Sequence, residues 1–346
     1  MATWYIDTDA DEGSPDGTEA HPYNTLNEAE QAKDANITGA GPVTFICQGS
    51  TQADDAAVSV GGWTTTAADY VEITTAAADR HAGVWSDMKY RLNVNGSRVI
   101  YLNEDYIRLD GLQITKTSTA NGQDGILNYG QTNGANDLRV SNCIIKLSGG
   151  TTYSEAGIYG SGTYGVLRIW NCIIYGGATH AAAANAGVIV VDGTTTEVFG
   201  CTIIGGYYGI RAGNNRTITA KNCYAVGVSS DAYSVGTSAT ITQTNCAADD
   251  TTADGTDPHD SVAYSTATFQ SVTPGDATYL KLTLDGGLTG HGATLTDDPP
   301  GSTALALDIA GATRTTTWDI GAFEYISGVN YLPLLIYNDT RQPTDY

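Results

Sequence analysis

The chain has 346 residues, of which 41 are glycine and only 16% are charged, and its formal net charge is −22 at pH 7. Such an acidic surface repels phosphate backbones and anionic bilayers, so we expect neither a nucleic-acid partner nor a membrane partner. No run approaches the roughly 18 apolar residues of a membrane span, and residues 1–11 lack the basic and apolar regions of a signal peptide. We therefore expect a chain made inside the cell, or a mature form whose leader has been removed.

Residues 1–42 predict a strand followed by a short helix. Thr25 with Glu28 forms a capping box, and Leu26, Ala29 and Ala32 give an apolar stripe at helical spacing. A stacked-repeat fold exposes the core and the strand edge of its first unit, so a terminal unit must cover them. We expect this helix to be the N-terminal cap.

A short phrase recurs along residues 138–246 and predicts stacked strands. It reads LRVSNCII, LRIWNCII, TEVFGCTII, ITAKNCYA and ITQTNCAA, with cysteines 29, 29, 22 and 23 residues apart. Repeats of this length are typical of stacked architectures, and the alternation through Val140, Cys143 and Ile145 indicates strands. The alternation is interrupted at Asn142, a residue type that tolerates left-handed bends. The equivalent residues of the later repeats are Asn171, Gly200, Asn222 and Asn245.

A second column of strands precedes the phrases. The glycines that begin these strands, at intervals of 32, 30 and 22 residues, are Gly125, Gly157, Gly187 and Gly209. Two columns with nearly the same step mean that each turn of chain lies parallel on the previous one, about 4.8 Å away. We therefore predict an all-β fold, a right-handed parallel β-helix (a solenoid), with its rungs in residues 43–250.

The recurring cysteines have two functional interpretations and one structural one. Adjacent parallel rungs hold Cα–Cβ bonds side by side, which is a poor geometry for a disulfide. A column of thiols on one wall does not surround a metal ion tetrahedrally. We therefore predict that Cys143, Cys172 and Cys201 are unbridged hydrophobes in an inward ladder, and that Cys47 has the same role on an early rung.

Residues 251–325 are predicted to hold the terminal rungs and a C-terminal cap. They begin in an acidic stretch whose carboxylates suggest calcium, but D-x-D-x-D-G spacing is missing and we favour a solvated loop. The acidic residues concerned are Asp249, Asp250, Asp254, Asp257, Asp260, Asp276 and Asp285.

The phrase ALALDIAGATRTTTWDIGAFEY carries a family resemblance. Asp308, Gly311 and Arg314 form a D-x-x-G-x-x-R stretch ahead of DIGAFE at 319–324, and PYNTLNEA lies near the N-terminus. On these residues the chain resembles the pectin-lyase-like superfamily of right-handed parallel β-helices, whose bacterial and viral members often close with such a segment. We expect Ile320 and Phe323 to plug the end of the core, and Arg314 to pair with Asp319 or Glu324.

The resemblance also makes the outward charged residues candidates for a catalytic site. Family enzymes that cleave acidic polysaccharides carry aspartates for calcium and an Arg or Lys base on the outer face of one sheet. Here Arg139 and Arg168, with Asp124 and Glu155 on the other column, are candidates for glycoside hydrolysis or elimination. The alternative, which we favour, is an exposed ladder of ion pairs whose replacement leaves stability nearly unchanged. We assign no catalytic, cofactor-binding or metal-binding residue.

Outward apolar residues and the C-terminal tail predict covered surfaces. The outward residues are Ile144, Ile173 and Tyr224, then Tyr175 and Ile204, and Leu127, Tyr159 and Ile189 on the glycine-led strands. A loop from the insertions GQTNGAND or GGATHAAAANA, a neighbouring subunit and a stacked sugar are the alternatives. We expect the stripe from Ile144 to Ile173, or the extended apolar tail at residues 326–346, to pack on another subunit.

Two classes of function remain. The first is a structural protein of a bacteriophage virion, a capsid decoration or a tail spike or fibre component, with glycan binding. Its partners would be other virion proteins or like subunits in a homo-oligomer, and a surface polysaccharide. The second is an extracellular polysaccharide lyase or hydrolase. The missing leader and the apolar tail favour the first class, and a bacterial surface adhesin is third.

Overall fold

The structure is a computed structural model that describes residues 2–10, 13–96, 98–117, 124–129, 137–147, 155–161, 165–176, 186–190, 195–295 and 304–327. In chain order the strands are β1 (Ala2–Asp7), β2 (Val43–Gln48), β3 (Val58–Val60), β4 (Val71–Thr75), β5 (Leu92–Val94), β6 (Ile100–Leu102), β7 (Ile107–Asp110), β8 (Gln113–Lys116), β9 (Ile126–Asn128), β10 (Asp137–Ser141), β11 (Ile144–Leu147), β12 (Ala156–Gly160), β13 (Val166–Trp170), β14 (Ile173–Tyr175), β15 (Ala186–Val190), β16 (Thr195–Phe199), β17 (Thr202–Ile204), β18 (Tyr208–Ala212), β19 (Thr217–Lys221), β20 (Tyr224–Val226), β21 (Tyr233–Val235), β22 (Thr240–Thr244) and β23 (Ala247–Ala248). One helix, α1 (Leu26–Lys33), and a 3₁₀ turn (Ala304–Ala306) complete the described elements.

The strands form three parallel sheets. Sheet 1 has the order β1-β2-β4-β7-β10-β13-β16-β19-β22, sheet 2 the order β5-β8-β11-β14-β17-β20-β23, and sheet 3 the order β3-β6-β9-β12-β15-β18-β21. From β4 onward the chain visits sheets 1, 2 and 3 in turn, so each circuit adds one rung to all three. The chain is a right-handed parallel β-helix, as the repeats predicted.

The corner between sheets 1 and 2 is made by the residues that interrupt the alternation. Asn142 and Asn171 both have φ of 50°, Gly200 has 55°, Asn222 has 53° and Asn245 has 48°. This left-handed geometry suits asparagine and glycine. It turns the chain while keeping the residues on both sides of the bend directed into the core.

The cysteines fill the core beside this corner. All six are free and buried, and the five of the repeat belong to one main hydrophobic cluster. The backbone N–H of Cys172 lies 3.5 Å from Sγ of Cys201 on the next rung. The predicted inward, unbridged ladder is confirmed.

The N-terminal helix begins at its capping box. Oγ1 of Thr25 accepts a hydrogen bond from the Glu28 N–H at 3.1 Å, and the Glu28 carboxylate accepts one from the Asn24 N–H at 3.1 Å. Leu26 and Ala29 are buried in the main core, which agrees with a capping role for α1.

One residue of the predicted helical stripe was assigned wrongly. Ala32 is exposed, whereas Glu30 is buried. The Glu30 carboxylate accepts hydrogen bonds from the Trp63 indole at 3.1 Å and the Gly61 N–H at 2.9 Å. A carboxylate with two donors on β3 and its flank can be buried, so α1 turns this polar side chain inward.

Residues 261–295 and 304–325, here called the strap, form no strand that continues the three sheets. Within the described residues 249–295 and 304–327, no strand follows β23. The strap lies on the outer face of sheet 2, where it forms a second hydrophobic cluster with the outward Ile144, Ile173 and Tyr224. These three side chains are fully buried.

This packing corrects the expectation that the stripe from Ile144 to Ile173 contacts another subunit. The chain covers the stripe with its own C-terminal segment, because a contiguous apolar face is most easily satisfied by chain that is already tethered to it. The insertions GQTNGAND (130–137) and GGATHAAAANA (176–186), which were alternative covers, lie mostly outside the described residues. So does the apolar tail beyond Ser327.

The DIGAFE segment also differs from expectation. Ile320 and Phe323 lie in the lateral cluster on sheet 2, not at the end of the main core. The predicted ion pair is present, since Nη1 of Arg314 lies 3.3 Å from Oε2 of Glu324, and both side chains are buried. The segment therefore closes a flank of the coil.

Asparagines of the corner hold the strap in place. Asn171 donates to the Leu307 carbonyl at 2.8 Å, Asn245 donates to the His291 carbonyl at 2.7 Å, and Asn222 bonds the backbone of Ala293. Arg314 in turn donates to Oδ1 of Asn171 at 3.1 Å.

In the described part of the chain, no helix is long and apolar enough to cross a membrane.

Candidate functional site

A charged groove lies on the outer face of sheet 1. Arg108, Arg139 and Arg168 occupy the same register position on three neighbouring strands. Glu72 precedes them in this row and Glu197 follows them. Because strands lie about 4.8 Å apart, the row places three guanidinium groups side by side between two carboxylates.

The groove contains a cavity of about 220 Å³. Its lining residues are Glu72, Arg108, Asp110, Arg139, Ser141, Asn142 and Trp170. Trp170 closes one end, where it packs with Leu295 and Trp318 of the strap. The Trp170 indole N–H is buried and has no acceptor among the described residues.

Two of the three arginines are fully engaged in ion pairs. Arg139 lies 2.7 Å from Oδ2 of Asp137, and Arg168 pairs with the same carboxylate. Arg168 also lies 2.7 Å from Oε2 of Glu197. The predicted ladder of ion pairs therefore exists on sheet 1, although these side chains are mostly buried and not freely exposed.

Arg108 differs from its neighbours. Its guanidinium lies 3.3 Å from the centre of the Tyr70 ring, and it makes no hydrogen bond or ion pair with any described residue. Burial and then the charge of Arg139 lower the pKa of Arg108. Glu72 and Asp137 act on its charge through space but form no ion pair with it, so an anion in direct contact with Arg108 would be stabilised further.

The two carboxylates of the cavity have different environments. Burial raises the pKa of Asp110, but the guanidinium of Arg80 and the bonds from Asn142 and Ser141 outweigh burial and hold the pKa below its usual value. Burial and the charge of Asp110 raise the pKa of Glu72. One carboxyl group is therefore held ionised while the other retains its proton more readily.

Asp124 and Glu155 do not belong to this groove. They precede β9 and β12 of sheet 3, so the structure does not bring them together with Arg139 and Arg168. Both are buried, and Glu155 pairs with the fully buried Lys116. The expectation of an exposed ladder is wrong for these two residues, because Asp124 is 5% and Glu155 2% exposed.

Asp124 is the more perturbed of the pair. One of its oxygens accepts a hydrogen bond from the Ala156 N–H at 3.1 Å, and the other lies 4.0 Å from Nε of Arg98. Burial dominates and raises the pKa of Asp124 to about 7. The buried Asp124 beside Arg98, and the buried pair of Glu155 and Lys116, have a structural role.

The acidic loop after β23 uses its carboxylates on backbone groups. Asp249 accepts from the Gly227 N–H at 2.8 Å, Asp250 from the Ala232 N–H at 2.8 Å, and Asp260 from the Ala253 N–H at 3.1 Å. Among the residues that the structure describes, no group of three or more His, Cys, Asp or Glu is arranged to hold a metal ion. These carboxylates stabilise turns.

Three residues of the groove were not predicted from the sequence: Glu72, Arg108 and Asp110. A signal was present: Leu109 precedes Val140 by 31 residues, and the same step aligns Arg108 with Arg139. Glu72 lies on an early rung whose spacing is irregular, so the sequence contains no comparable signal for it.

The sequence matches no protein-family model, and no curated protein is significantly similar to it. Among solved structures, the chain is similar to pectate lyase Pel9A, with a TM-score of 0.33 and 12% identity over 94% of this chain and 97% of that chain. The function proposed below is therefore based on the groove.

Proposed function

We propose that the groove binds a saccharide chain that carries an isolated carboxylate. The observation that supports this most directly is Arg108, which is half-buried, adjacent to Arg139 and without a carboxylate partner among the described residues. A guanidinium offers a planar set of donors that matches a carboxylate. A ligand carboxylate beside Arg108 and Arg139 would supply the missing negative charge.

The rest of the cavity favours a hydroxyl-rich ligand. The Glu72 carboxyl group and the Ser141 hydroxyl oxygen can accept hydrogen bonds, the Trp170 ring lines the cavity, and Tyr70 provides a ring beside Arg108. A net charge of −22 repels a continuous polyanion, over distances near the Debye length of about 10 Å. The groove is therefore best suited to an acidic sugar that is flanked by neutral sugars.

Calorimetric titration tests this proposal. Hyaluronan oligosaccharides, in which acidic and neutral sugars alternate, should bind, and their carboxyl-reduced forms should bind much more weakly. Arg108→Ala should abolish the difference between the two ligands. Lys89→Ala, which removes one positive charge outside the groove, is the matched control and should leave binding unchanged. Equal binding of both ligands by the unmodified protein would contradict the proposal.

We also propose that the protein is a structural component of a bacteriophage virion, as a capsid decoration or a tail spike or fibre component, in contact with other virion proteins or like subunits. The support is the DIGAFE-type segment, which resembles that of bacterial and viral β-helix proteins, together with a groove suited to surface glycans. Mass spectrometry of density-purified particles from the source culture should detect the chain. Its absence from such particles would contradict this location.

A second candidate function is polysaccharide cleavage, as a lyase or a glycoside hydrolase. It is favoured by Glu72 and Asp110, whose pKa values move in opposite directions within one cavity, as an acid and an ionised partner require. Against it, Asp110 is already bonded to Arg80, Ser141 and Asn142. New reducing ends that disappear in Glu72→Gln would establish cleavage, whereas binding without new ends supports the first proposal.

A further inference from the structure

A second cavity, here called the strap pocket, is lined by both parts of the strap and by the residues that follow it. Its volume is about 550 Å³, which is within the range of about 300 to 1,000 Å³ that is typical of ligand-binding cavities. Its lining residues include Leu284, Thr289, Gly290, Thr315, Asp319, Ile326 and Ser327. Ser327, where the described part of the chain ends, therefore belongs to the wall.

Polar side chains of this wall are already bonded within the strap. Oδ1 of Asp319 accepts a hydrogen bond from the Gly290 N–H at 2.6 Å, and Oδ2 accepts one from the Tyr325 N–H. The Thr315 hydroxyl donates to Oε1 of Glu324 at 2.8 Å. Because these groups have partners, a hydroxyl-rich ligand gains few new hydrogen bonds here. The strap pocket therefore favours an apolar occupant.

Large apolar side chains are exposed around the strap pocket. Leu284 is 61% and Ile326 38% exposed, and both line it. Leu307, which is 46% exposed, pairs with Thr313 of the pocket wall. These are three of the six exposed large hydrophobic residues in the described part of the chain. Apolar surface concentrated in this way is typical of a binding surface.

The same chain carries an apolar segment next to this surface. The segment YLPLLIY at residues 331–337 begins four residues after Ser327, outside the described residues. An extended chain spans at most about 3.6 Å per residue, so Tyr331 lies within about 14 Å of Ser327. A segment on so short a tether has an effective concentration of about 1 mM or more at the pocket, which a free partner does not reach.

We propose that residues 331–337 dock in the strap pocket of their own chain. The protein already uses this arrangement on sheet 2, where the strap covers the outward Ile144, Ile173 and Tyr224. Docking brings the exposed side chains of the pocket and those of the tail out of water together. The proposal differs from the expectation that the tail packs on another subunit, and it does not depend on the charged groove of sheet 1.

Cysteine cross-linking in the full-length protein tests this docking. Leu284→Cys is combined in turn with Leu332→Cys, Leu334→Cys and Leu335→Cys, so that three tail positions are sampled. At least one pair should form an intramolecular disulfide under mild oxidation. The native cysteines are buried, and neither of the two tryptic peptides concerned contains one. Mass spectrometry of the digest therefore identifies the cross-link without interference.

Val235→Cys, with the same tail cysteines, is the matched control. Val235 is 56% exposed but lies on sheet 3, so it should cross-link about tenfold less, as a site without a docked segment does. Disulfide-linked dimers would place the tail on a second copy and would overturn the proposal. Equal cross-linking of the Leu284→Cys and Val235→Cys variants overturns it, and so does the absence of a cross-link in all three Leu284→Cys pairs.

Proteolysis of the tail is a second measurement on the full-length protein. Cleavage by chymotrypsin after Leu335 should be about tenfold faster in Leu284→Asp than in the unmodified protein, because cleavage follows the population of undocked tail. Leu284→Met keeps an apolar side chain and should keep the slow rate. Circular dichroism verifies that both variants are folded. If the folded Leu284→Asp variant is cleaved no faster than the unmodified protein, the tail does not dock in this pocket.

Discussion

The side chain of Asn222 exchanges two hydrogen bonds with the backbone of Ala293. Its Nδ2 donates to the Ala293 carbonyl at 2.7 Å, and its Oδ1 accepts from the Ala293 N–H at 2.8 Å. The carboxamide therefore acts as a strand neighbour to a segment 71 residues further along the chain. The same asparagine has φ of 53°, so one residue both turns the coil and anchors the strap.

Replacing Asn222 by glycine isolates the anchoring role, because glycine keeps the left-handed bend and removes only the carboxamide. Two backbone groups of the strap lose their partners, so the free energy of unfolding should fall by about 2 kcal/mol. Chemical denaturation measures this change. Asn215→Gly is the control, since Asn215 has φ of 58° in an exposed turn, and it should change stability much less. Equal effects of the two substitutions would contradict the anchoring role.

The cysteine ladder should be unreactive in the folded protein. A thiol-specific reagent should label none of the six cysteines before denaturation and all six after it, because each is buried. Cys172→Asp should destabilise the fold by more than about 3 kcal/mol, since it places an unpaired carboxylate in the core. Cys172→Ala is the control and leaves only a small cavity. Labelling of a folded thiol, or a well-folded aspartate variant, would contradict the inward ladder.

Asp124 should make stability depend on pH. Because burial raises its pKa in the folded protein to about 7, the folded state holds the proton to a higher pH than the unfolded chain does. The stability from this group is complete below about pH 4 and is lost as the pH rises to about 7. Asp124→Asn should remove this loss, which is on the order of 4 kcal/mol.

Denaturation at about pH 5 and about pH 8 checks this prediction. Asp319, whose pKa burial raises to about 6, contributes a slope of the same sign to both proteins. The difference between the unmodified protein and Asp124→Asn therefore reports Asp124 alone. Parallel stability profiles would show that Asp124 is not protonated preferentially in the folded state.

The sequence predicted the coil because the coil is repetitive. Cys172, Ile174 and the bend at Asn171 recur together at steps of 22 to 29 residues, so one register argument determined the inward residues of several rungs. The strap has no internal period, and its contacts with Asn171 and Asn222 join residues more than 70 positions apart. The DIGAFE segment was therefore recognised in the sequence, but it was predicted to close the end of the core, whereas it lies on the flank of the coil.

The groove was only partly predictable for a related reason. Arg139 and Arg168 stand in the regular rungs, where alternation indicates an outward side chain. Whether an outward arginine forms an ion pair depends on side-chain distances across three strands. Arg139 lies 2.7 Å from Asp137, whereas Glu72 and Asp137 act on Arg108 only through space. Such a difference follows from side-chain geometry, which a one-dimensional pattern does not contain.

The most direct test of the groove as a glycan site is the affinity of Arg108 variants for a single acidic oligosaccharide. Calorimetry with a hyaluronan oligosaccharide should give about a tenfold or larger loss of affinity in Arg108→Gln, since a charged hydrogen-bond donor is removed. Arg108→Lys should restore part of it, because the charge returns without the planar fork. If Arg108→Gln binds this ligand as tightly as the unmodified protein, the groove is not the site of glycan recognition.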